Sequence, residues 1–498
     1  MTTTESDLPE GWIETTLEQL LKTLQSGSRP KGGVRGIKDG VPSVGGEHLD
    51  ENGGFRFDTI KFVPHSFYER MNQGHVKTGD ILIVKDGATT GKVSLVKKNF
   101  PYNPAVVNEH VFICRPVKEV YSPFPFYFLF SKEGQDRILE NFRGSAQGGI
   151  NQTFAPGTLV PLAPLPEQKR IVAKVEELLA RVNAARERLA KVKSILKRFR
   201  QSVIAAACSG RLTAEWRDKN PDVELVVTVV ENIRKRRIEN TNAHSQKQKI
   251  NEIYSYQEEE DSDLLQESWR YVSLDKLCES FQYGTSKKSL LSGKVAVLRM
   301  GNIQDGEINW SNLAYSSDEE EIGKYMLKPG DVLFNRTNSP ELVGKSAIYR
   351  GEHLAIFAGY LIKINNFEEL DSKYLNFCLN TIYARDFCMN VKTDGVSQSN
   401  INAQKLAKFE VPFCSIQEQR EIVRRVEVLF NLANKIEKRV AGATARAERL
   451  TQAILAKAFR GELVPTEAEL ARREGRSYEP ACELLARIRL KNSTDQRK

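Results

Sequence analysis

The sequence predicts a mixed α/β protein in which two similar globular modules are combined with two long helices that pair as a coiled coil. Three observations support this fold class. An internal repeat runs through most of the 498 residues, and such a repeat decides the architecture. The last part of each copy has apolar residues at heptad spacing. The first part has short β-rich runs broken by Gly and Asn turns.

The repeat is visible as matching residues at nearly constant offsets. Trp12 recurs 257 residues later as Trp269. Further on, residues 401–463 follow residues 150–212 without a gap at an offset of 251. The earlier part of each copy agrees only at scattered anchor residues. One part of each copy is therefore a constant frame, and the other part is free to vary.

The gapless part of each copy predicts one long helix. It follows a proline-containing or polar turn, and its apolar residues recur at a spacing of 4, 3, 4, 3, the a/d seam of a coiled coil. Gly210 and Gly461 lie where helix-ending glycines occur. The seam includes Ile171, Val175, Leu178, Val182, Leu189 and Leu196 in the first copy and Ile422, Val426, Leu429, Ile436, Val440 and Leu450 in the second.

Two arrangements of these helices are open. Each helix could pack separately on its own domain, as lone amphipathic helices usually do. Two seams of identical register in one chain instead favour pairing with each other. The 33 residues from Ile171 to Val203 would then form a rigid spacer about 50 Å long.

Each module is predicted to combine strands with an aromatic-rich helical segment. β-Rich runs occur at 81–84, 111–113 and 332–334, and aromatic segments occur at 125–130 and 373–377. We interpret the aromatic residues as core rather than as a platform on which bases stack.

The predicted boundaries divide the chain into six parts. The linking segment passes from a basic run at 234–237 to an acidic run at 258–261, and it is predicted to be helical in its first half and exposed in its second. The six parts are a first globular domain (1–158), a first helical region (159–213), a connector (214–268), a second globular domain (269–409), a second helical region (410–463) and a C-terminal helical tail (464–498).

Composition excludes several classes of protein. The length of 498 residues excludes a short disulfide scaffold. The 40% hydrophobic and 28% charged residues exclude a chain that is disordered throughout. The polar, acidic N-terminus has no secretory signal character and no segment predicts a membrane span, so a soluble, cytoplasmic protein is expected. The seven cysteines form no C-x-x-C pair and are expected to be reduced and mostly buried. The six histidines show no metal-ligand spacing.

No catalytic motif is recognisable. The segment 339–346 approaches a phosphate-binding loop, but Ser339 replaces the first glycine and a strand is predicted after it. We interpret it as a turn between strands. The chain has no Pro-Pro dipeptide, which an adenine or cytosine amino-methyltransferase motif would contain. The chain is therefore expected to be non-catalytic and to bind no cofactor or metal itself.

Taken together, these features resemble the specificity subunits of type I restriction-modification enzymes. The resemblance covers nearly the whole chain, and the two-copy architecture makes it more specific than any single motif. The second helix departs from the pattern, because it follows Cys414-Ser415-Ile416-Gln417 rather than a proline-rich turn. The motifs are Leu8-Pro9-Glu10-Gly11-Trp12, the stretch 164–172 with its copy 417–423, the stretch 196–201, and Gly210-Arg211-Leu212-Thr213.

The resemblance implies a DNA-recognition subunit. Each variable module would be a target-recognition domain that reads one half of a split DNA sequence. The repeated helices would pair antiparallel and set the length of the unspecified spacer. Two methyltransferase subunits would dock on this frame and supply the S-adenosylmethionine chemistry. Restriction subunits would add ATP- and Mg-dependent translocation and cleavage.

Basic and amide side chains in loops are the candidates for DNA contacts, since Arg or Lys reads guanine and Asn or Gln reads adenine. Any single one could equally be an ordinary solvated loop residue, so the loops as groups are the stronger prediction. The candidates are Arg29, Lys31, Arg35, Lys38, Lys85, Thr89, Thr90, Lys92, Arg143 and Gln147 in the first module and Lys287, Lys288, Arg299, Asn302, Asn335, Arg336, Asn338, Lys345, Lys392, Gln398 and Asn400 in the second.

The formal net charge of +9 does not mark the base-reading surface. Residues 167–212 and 418–463 together carry +12, whereas residues 12–150 and 269–401 are nearly neutral. Recognition would therefore depend on a few well-placed loop residues. The alternative function is a non-enzymatic coiled-coil scaffold whose modules bind proteins, and sequence-specific DNA binding would distinguish the two.

Overall fold

The computed structural model describes residues 8–144, 148–255, 268–396 and 398–495. The chain divides into two compact units, which we call unit 1 (residues 1–190 with 441–498) and unit 2 (residues 191–440). Each unit contains one globular module, part of each long helix and a pair or trio of shorter helices. The predicted fold class of two repeated α/β modules with two long helices is confirmed.

The module of unit 1 is built from three small sheets. Its main sheet is antiparallel with strand order β2-β8-β5-β6, beside a sheet of order β4-β3-β7 and the pair β1-β9. The strands are β1 (Ile13–Thr16), β2 (Leu21–Ser26), β3 (Val41–Val44), β4 (Lys61–Val63), β5 (Ile81–Val84), β6 (Val93–Leu95), β7 (Val106–Val107), β8 (Val111–Pro116) and β9 (Leu159–Leu162), and the helices are α1 (Leu17–Leu20), α2 (His65–Tyr68), α3 (Pro123–Phe130), α4 (Lys132–Leu139) and α5 (Phe154–Gly157).

The core of this module lies between the main sheet and helix α3. Every residue of β5 is buried, because both faces of this central strand are covered. Helix α3 has Pro123 at its start, where a missing N–H loses no bond. Four of its five aromatic residues are buried and Phe130 is half-buried. Trp12 packs edge to face on Phe124 with ring centroids 6.0 Å apart. The predicted role of the aromatic segment as core is confirmed.

The middle of the chain is helical. Helix α6 (Leu165–Cys208) is followed by α7 (Ala214–Asp218), α8 (Val226–Glu239) and α9 (His244–Ser255). Val226, Val229 and Ile233 of α8 are buried in the core of unit 2. The connector is thus helical in its first half, as predicted, while the acidic run at 258–261 lies outside the described residues.

The module of unit 2 repeats the topology of unit 1. Its sheets have the orders β11-β20-β16-β18 and β15-β12-β19 with the pair β10-β23, and two small sheets, β13-β14 and β17-β22-β21, are added. The strands are β10 (Arg270–Ser273), β11 (Cys278–Tyr283), β12 (Val295–Leu298), β13 (Ile303–Gln304), β14 (Glu307–Ile308), β15 (Ala314–Ser316), β16 (Val332–Asn335), β17 (Thr337–Asn338), β18 (Ser346–Ile348), β19 (Ala355–Phe357), β20 (Leu361–Asn366), β21 (Thr393–Asp394), β22 (Ser399–Asn400) and β23 (Glu410–Phe413), and the helices are α10 (Leu274–Leu277), α11 (Glu319–Tyr325), α12 (Ser372–Leu379), α13 (Ile382–Val391) and α14 (Ala403–Ala407).

The chain ends in the second long helix and two short ones. These are α15 (Ile416–Phe459), α16 (Glu467–Glu474) and α17 (Ala481–Asp495). Gly210 and Gly461 follow the two long helices, each with a left-handed φ of +73°, so both predicted helix ends are confirmed. Among the described residues, no helix is long and apolar enough to cross a membrane.

The two long helices pair antiparallel. In unit 1 the early residues of α6, Val175 and Val182, share a core with Ile454 near the end of α15. In unit 2 the late residue Val203 of α6 shares a core with Val426 near the start of α15. Seven of the twelve seam residues that the sequence singles out are buried and four are half-buried.

Leu450 corrects the predicted seam, since its side chain is 51% exposed. A straight helix drifts by about 20° per heptad against a 3.5-residue period. Towards its end α15 buries the adjacent pairs Ile454 with Leu455 and Ala458 with Phe459, a broad stripe that faces the module. The heptad pattern is therefore replaced by ordinary core packing before the helix ends.

The first strand of each module and a strand just before each long helix pair together. Strands β1 and β9 are antiparallel, and so are β10 and β23. Residues 159–162 and 410–413, which the sequence boundaries place in the helical regions, thus belong to the sheets of the modules. They form strands because they pair with β1 and β10, which lie more than 130 residues earlier in the chain.

A buried carboxylate joins each module to its helix. Oε1 of Glu167 accepts from the indole Nε1 of Trp12 at 2.9 Å, and its Oε2 accepts from the backbone N of Glu467 at 2.8 Å. In unit 2, Glu418 accepts from Thr213 Oγ1 at 2.7 Å and from the guanidinium of Arg217. The repeated Glu therefore serves as an internal hydrogen-bond acceptor and not only as a complement to the helix dipole.

The following glutamine completes this joint in both units. The Gln168 side chain accepts from Tyr121 N at 3.1 Å and donates to Ala163 O at 2.8 Å. Gln419 accepts from Asp371 N and donates to Cys414 O, both at 2.8 Å. The proline-rich turn is thus not required, since the second helix is entered with the same bonds.

Candidate nucleic-acid interface

In unit 1, two loops that are distant in sequence meet beside strand β5. Gly149 forms β-bridges with both Asp86 and Arg143. The backbone N of Ile150 donates to Lys85 O at 2.8 Å. The turn that follows β5 therefore meets Arg143 and Gly149 at one surface, which contains the candidates Lys85, Thr89, Thr90, Lys92 and Arg143. The candidate Gln147 lies outside the described residues.

In unit 2, the corresponding loops form a small polar sheet. Strand β17 pairs with β22 through Thr337 opposite Asn400, and β22 pairs with β21. The Asn400 Nδ2 donates to Thr337 Oγ1 at 2.8 Å, and the backbone N of Ile401 donates to Arg336 O at 2.9 Å. The candidates Arg336, Asn338, Lys392, Gln398 and Asn400, widely separated in sequence, are thereby brought together.

Arg336 is held in a fixed position within this sheet. Its guanidinium carbon lies 4.9 Å from the ring centroid of Tyr283, a cation–π distance. Nη2 donates to Asn400 Oδ1 at 3.2 Å and Nη1 to Gly359 O at 3.3 Å. Since a guanidinium has five N–H donors in a planar fork, this arrangement leaves donors for a ligand.

The glycine-rich loop of unit 1 carries exposed cations. Lys31, Arg35 and Lys38 are exposed and make no ion pair within the described part of the chain. Arg29 instead binds Glu109 at 2.8 Å. Glycines in this loop have positive φ values of 79° to 145°, a backbone that residues with a Cβ rarely adopt.

The cations that begin the variable part of unit 2 are more strongly paired. Lys287 Nζ lies 2.8 Å from Asp318 and 3.6 Å from Glu321. The hydrogen bond to Asp318 raises the pKa of Lys287. Lys288 is exposed, and the exposed Arg299 donates to Asn312 O at 2.8 Å.

Two candidates lie in the interior of unit 2. Asn302, 3% exposed, accepts from Arg299 N and donates to Asn309 O, both at 2.9 Å. It closes a short 3-10 turn, as His48 does in unit 1 by accepting from Gly45 N at 2.8 Å. Asn335 is fully buried, with no hydrogen-bond partner for its side chain among the described residues. Neither amide belongs to the surface.

Lys345 belongs to the segment that approaches a phosphate-binding loop. Its Nζ donates to Gln304 Oε1 at 2.9 Å, and strand β18 begins at Ser346. The predicted turn between strands is confirmed, since a phosphate-binding loop would lead into a helix. Among the described residues, no group of three or more His, Cys, Asp or Glu could hold a metal ion.

Sequence reasoning missed several polar residues of these surfaces. In unit 1, His110 Nδ1 lies 2.6 Å from Asp86 Oδ1, next to Lys85. In unit 2, Tyr283 and Thr337 support Arg336 and Asn400. The available signal for Tyr283 was its place directly before Gly284, one of the repeated anchor glycines.

Comparisons with known proteins agree with one another. The family model "Type I restriction modification DNA specificity domain" matches residues 9–194 and 266–441. The chain is 28% identical to the type I restriction enzyme EcoKI specificity subunit of Escherichia coli (strain K12) over 466 residues, 92% of this chain and 90% of that protein. It is equally similar, at 28% over the same shares, to the StySPI specificity subunit of Salmonella potsdam.

A solved structure supports the fold. It comes from work described as "Structural basis underlying complex assembly and conformational transition of the type I R-M system" and superposes with a TM-score of 0.62. The match covers 91% of this chain and 99% of that one at 19% identity.

Proposed function

Because the chain belongs to the family of type I restriction-modification DNA specificity subunits, whose members recognise DNA and are not themselves catalytic, we propose that each of its modules reads one half of a bipartite DNA target. The observation that supports this most is the repeated pairing of two variable loops beside the same central strand, β5 in unit 1 and β16 in unit 2. Two such surfaces in one chain can read two unrelated half-sites.

The surface in unit 2 has the chemistry that base reading requires. Arg336 would read guanine, and Asn338 and Gln398 would offer amides to adenine. Asn400 would support this contact, since its amide accepts from Arg336 and donates to Thr337. In unit 1, Lys31, Arg35 and Lys38 would contact phosphates from the glycine-rich loop, while Arg143 and Thr89 would approach bases. Phosphate contacts fix the register and base contacts give specificity.

The paired long helices would set the distance between the half-sites. Each has 44 residues, about 66 Å of helix, against about 34 Å for one DNA turn. Their exposed basic residues would also dock two methyltransferase subunits. These would bring S-adenosylmethionine, and restriction subunits would bring ATP and Mg.

The experiment that tests this function uses the chain assembled with its methyltransferase subunits. Modified adenines are mapped in a random DNA library, first with the natural chain and then with residues 393–400 exchanged for the segment of another specificity subunit. We expect a split target of which the exchange alters one half only. A continuous target, changes in both halves, or methyl transfer by the purified chain alone would each refute the proposal.

A further inference from the structure

A cavity of 380 Å³ lies in unit 2 between the end of helix α6 and helices α12 and α13. Ala205 and Cys208 of α6 and Cys378 and Leu379 of α12 contribute apolar walls, and Pro412 lies on another side. The cavity is open to solvent. An apolar cavity of about 150 Å³ already accommodates a benzene ring, so the available space exceeds one ring.

The same place in unit 1 is filled by two aromatic side chains of the chain itself. The gapless repeat makes Phe459 the counterpart of Cys208. Phe128 is the counterpart of Cys378, since each lies three residues before the N-cap of the next helix, Ser131 or Thr381. Phe128 and Phe459 pack edge to face with centroids 5.3 Å apart. Unit 1 thus shows that this position in the fold accepts phenyl rings.

In unit 2, two thiols replace those two rings. The Sγ atoms of Cys208 and Cys378 lie 3.5 Å apart. The neighbouring Cys378 thiol and burial hold the pKa of Cys208 well above its usual range, so the Cys208 side chain is a small neutral apolar group here. A thiol fills much less space than a phenyl ring, and the adjoining cavity is the space left over.

The mouth of the cavity is lined by exposed apolar groups. Ile382 is 67% exposed and Tyr383 is 43% exposed, and both line the cavity. The rings of Tyr383 and Tyr271 lie 5.8 Å apart. Lys345 and Arg385 also line the cavity, but Asp305 and Glu341 do so too, so the charged groups around it balance. Exposed apolar residues around a concave site are typical of a binding site rather than of ordinary surface.

We propose that this cavity is a binding pocket for an aromatic ring that comes from outside the chain. The ring takes the place that Phe128 and Phe459 occupy in unit 1 and packs against Cys208, Cys378 and Leu379. Its source is either a side chain of a partner protein or a free aromatic molecule, which share this chemistry. The proposal does not depend on the proposed DNA function: Lys345 alone among the DNA-contact candidates lines the cavity, and the ring packs against other residues.

The test uses 5-fluoroindole as the probe and fluorine NMR on the full-length purified chain. We expect saturable binding by the natural chain and loss of that binding in Cys378→Phe, which restores the ring of unit 1. Ala205→Trp is a second variant at an exposed wall position, so it closes the mouth without disturbing the core. Ser202→Trp, on the same helix but outside the cavity lining, is the matched control and retains binding.

Two results would overturn the inference: no saturable binding by the natural chain, or binding by Ala205→Trp equal to that of Ser202→Trp. The source of the ring is decided by adding the methyltransferase subunits to the probe-bound chain. Displacement of the probe identifies a partner side chain, and its retention in the assembled complex identifies a free aromatic molecule. If no complex assembles, the proposed function is in question, while the binding result with the isolated chain still decides the pocket.

Discussion

The indole Nε1 of Trp269 donates to Oε2 of Glu418 at 3.0 Å. Trp12 makes the equivalent bond to Glu167 in unit 1. The two bonds join the first residue of each repeat to the start of the long helix about 150 residues later. The surroundings of the two carboxylates differ, however, because Arg217 binds Glu418 directly, while no cation of the described residues is hydrogen-bonded to Glu167.

Glu418→Gln should destabilise unit 2 by about 3 kcal/mol, because removing one partner of a buried ion pair leaves Arg217 without its anion. The matched control is Glu167→Gln, which weakens neutral donor contacts and should destabilise unit 1 by about 1 kcal/mol. Urea unfolding of chains labelled with 5-fluorotryptophan measures the loss of unfolding free energy in each unit, since Trp269 reports on unit 2 and Trp12 on unit 1. Equal losses in the two variants would refute the ion-pair argument.

The stability of unit 1 should depend on the protonation of Glu167. Burial raises the pKa of this carboxyl above its ordinary value of 4.5, although the Glu467 backbone N–H and Trp12 oppose the shift. The folded state therefore favours the protonated form. The stability that Glu167 contributes is fully present below its pKa in the unfolded state. This stability is lost as the pH rises through the higher pKa of Glu167 in the folded state.

Other carboxyls of unit 1 titrate in the same range, so the measurement is the difference in unfolding free energy between the natural chain and Glu167→Gln. We expect this difference to fall as the pH rises from the pKa of Glu167 in the unfolded state to its higher pKa in the folded state. A difference that does not change with pH would show that the folded protein does not shift this pKa.

Arg336→Ala should relax discrimination at one base pair of one half-site by about 1–3 kcal/mol, because a bidentate contact to guanine is lost. Lys31→Ala should instead weaken binding to all sequences and lower the salt slope by about 1, as expected for a phosphate contact. Arg350→Ala is the control, since Arg350 is already paired with Glu307 at 2.6 Å. Binding selections with the assembled complex at two salt concentrations distinguish the three outcomes.

Removing one heptad from each long helix should shorten the DNA spacer that the complex accepts. Seven residues are about 10 Å of helix, which corresponds to about three base pairs at 3.4 Å each. Both half-sites should remain unchanged, because the modules are untouched. Methylation of a library of targets with different spacers provides the measurement, and retention of the original spacer would exclude the helices as its determinant.

Gly461→Ala should destabilise unit 1 by more than the 1–2 kcal/mol expected for a left-handed residue with a Cβ. The added methyl group would lie 2.2 Å from Cγ of Pro9. Gly475→Ala has the same left-handed strain, with a φ of +62°, but no atom within 4 Å. Unfolding is followed by the Trp12 fluorine signal. The difference in unfolding free energy between the two variants isolates the contribution of the Pro9 contact. Similar losses of stability in the two variants would indicate that the N-terminal segment at Pro9 shifts easily to accommodate the methyl group.

Local sequence patterns predicted the elements, but not the contacts between distant parts. The helices were predictable because heptad spacing is a property of each segment alone. Leu450 departs from the predicted seam because the end of α15 packs against the module. Asn302 resembles a base-reading residue in sequence, yet its amide is used by neighbouring backbone groups. The surface around Arg336 was not predictable as a whole, because it depends on strands more than 60 residues apart pairing with each other.

The division of the chain has a consequence for its synthesis. Unit 2 is one continuous stretch, residues 191–440, whereas unit 1 needs residues from both ends, including Leu484 and Ile488 of α17 in its core. Chains emerge from the ribosome N-terminus first. The module that is translated first must therefore wait for the last helix before its core can close, and unit 2 can complete its folding earlier.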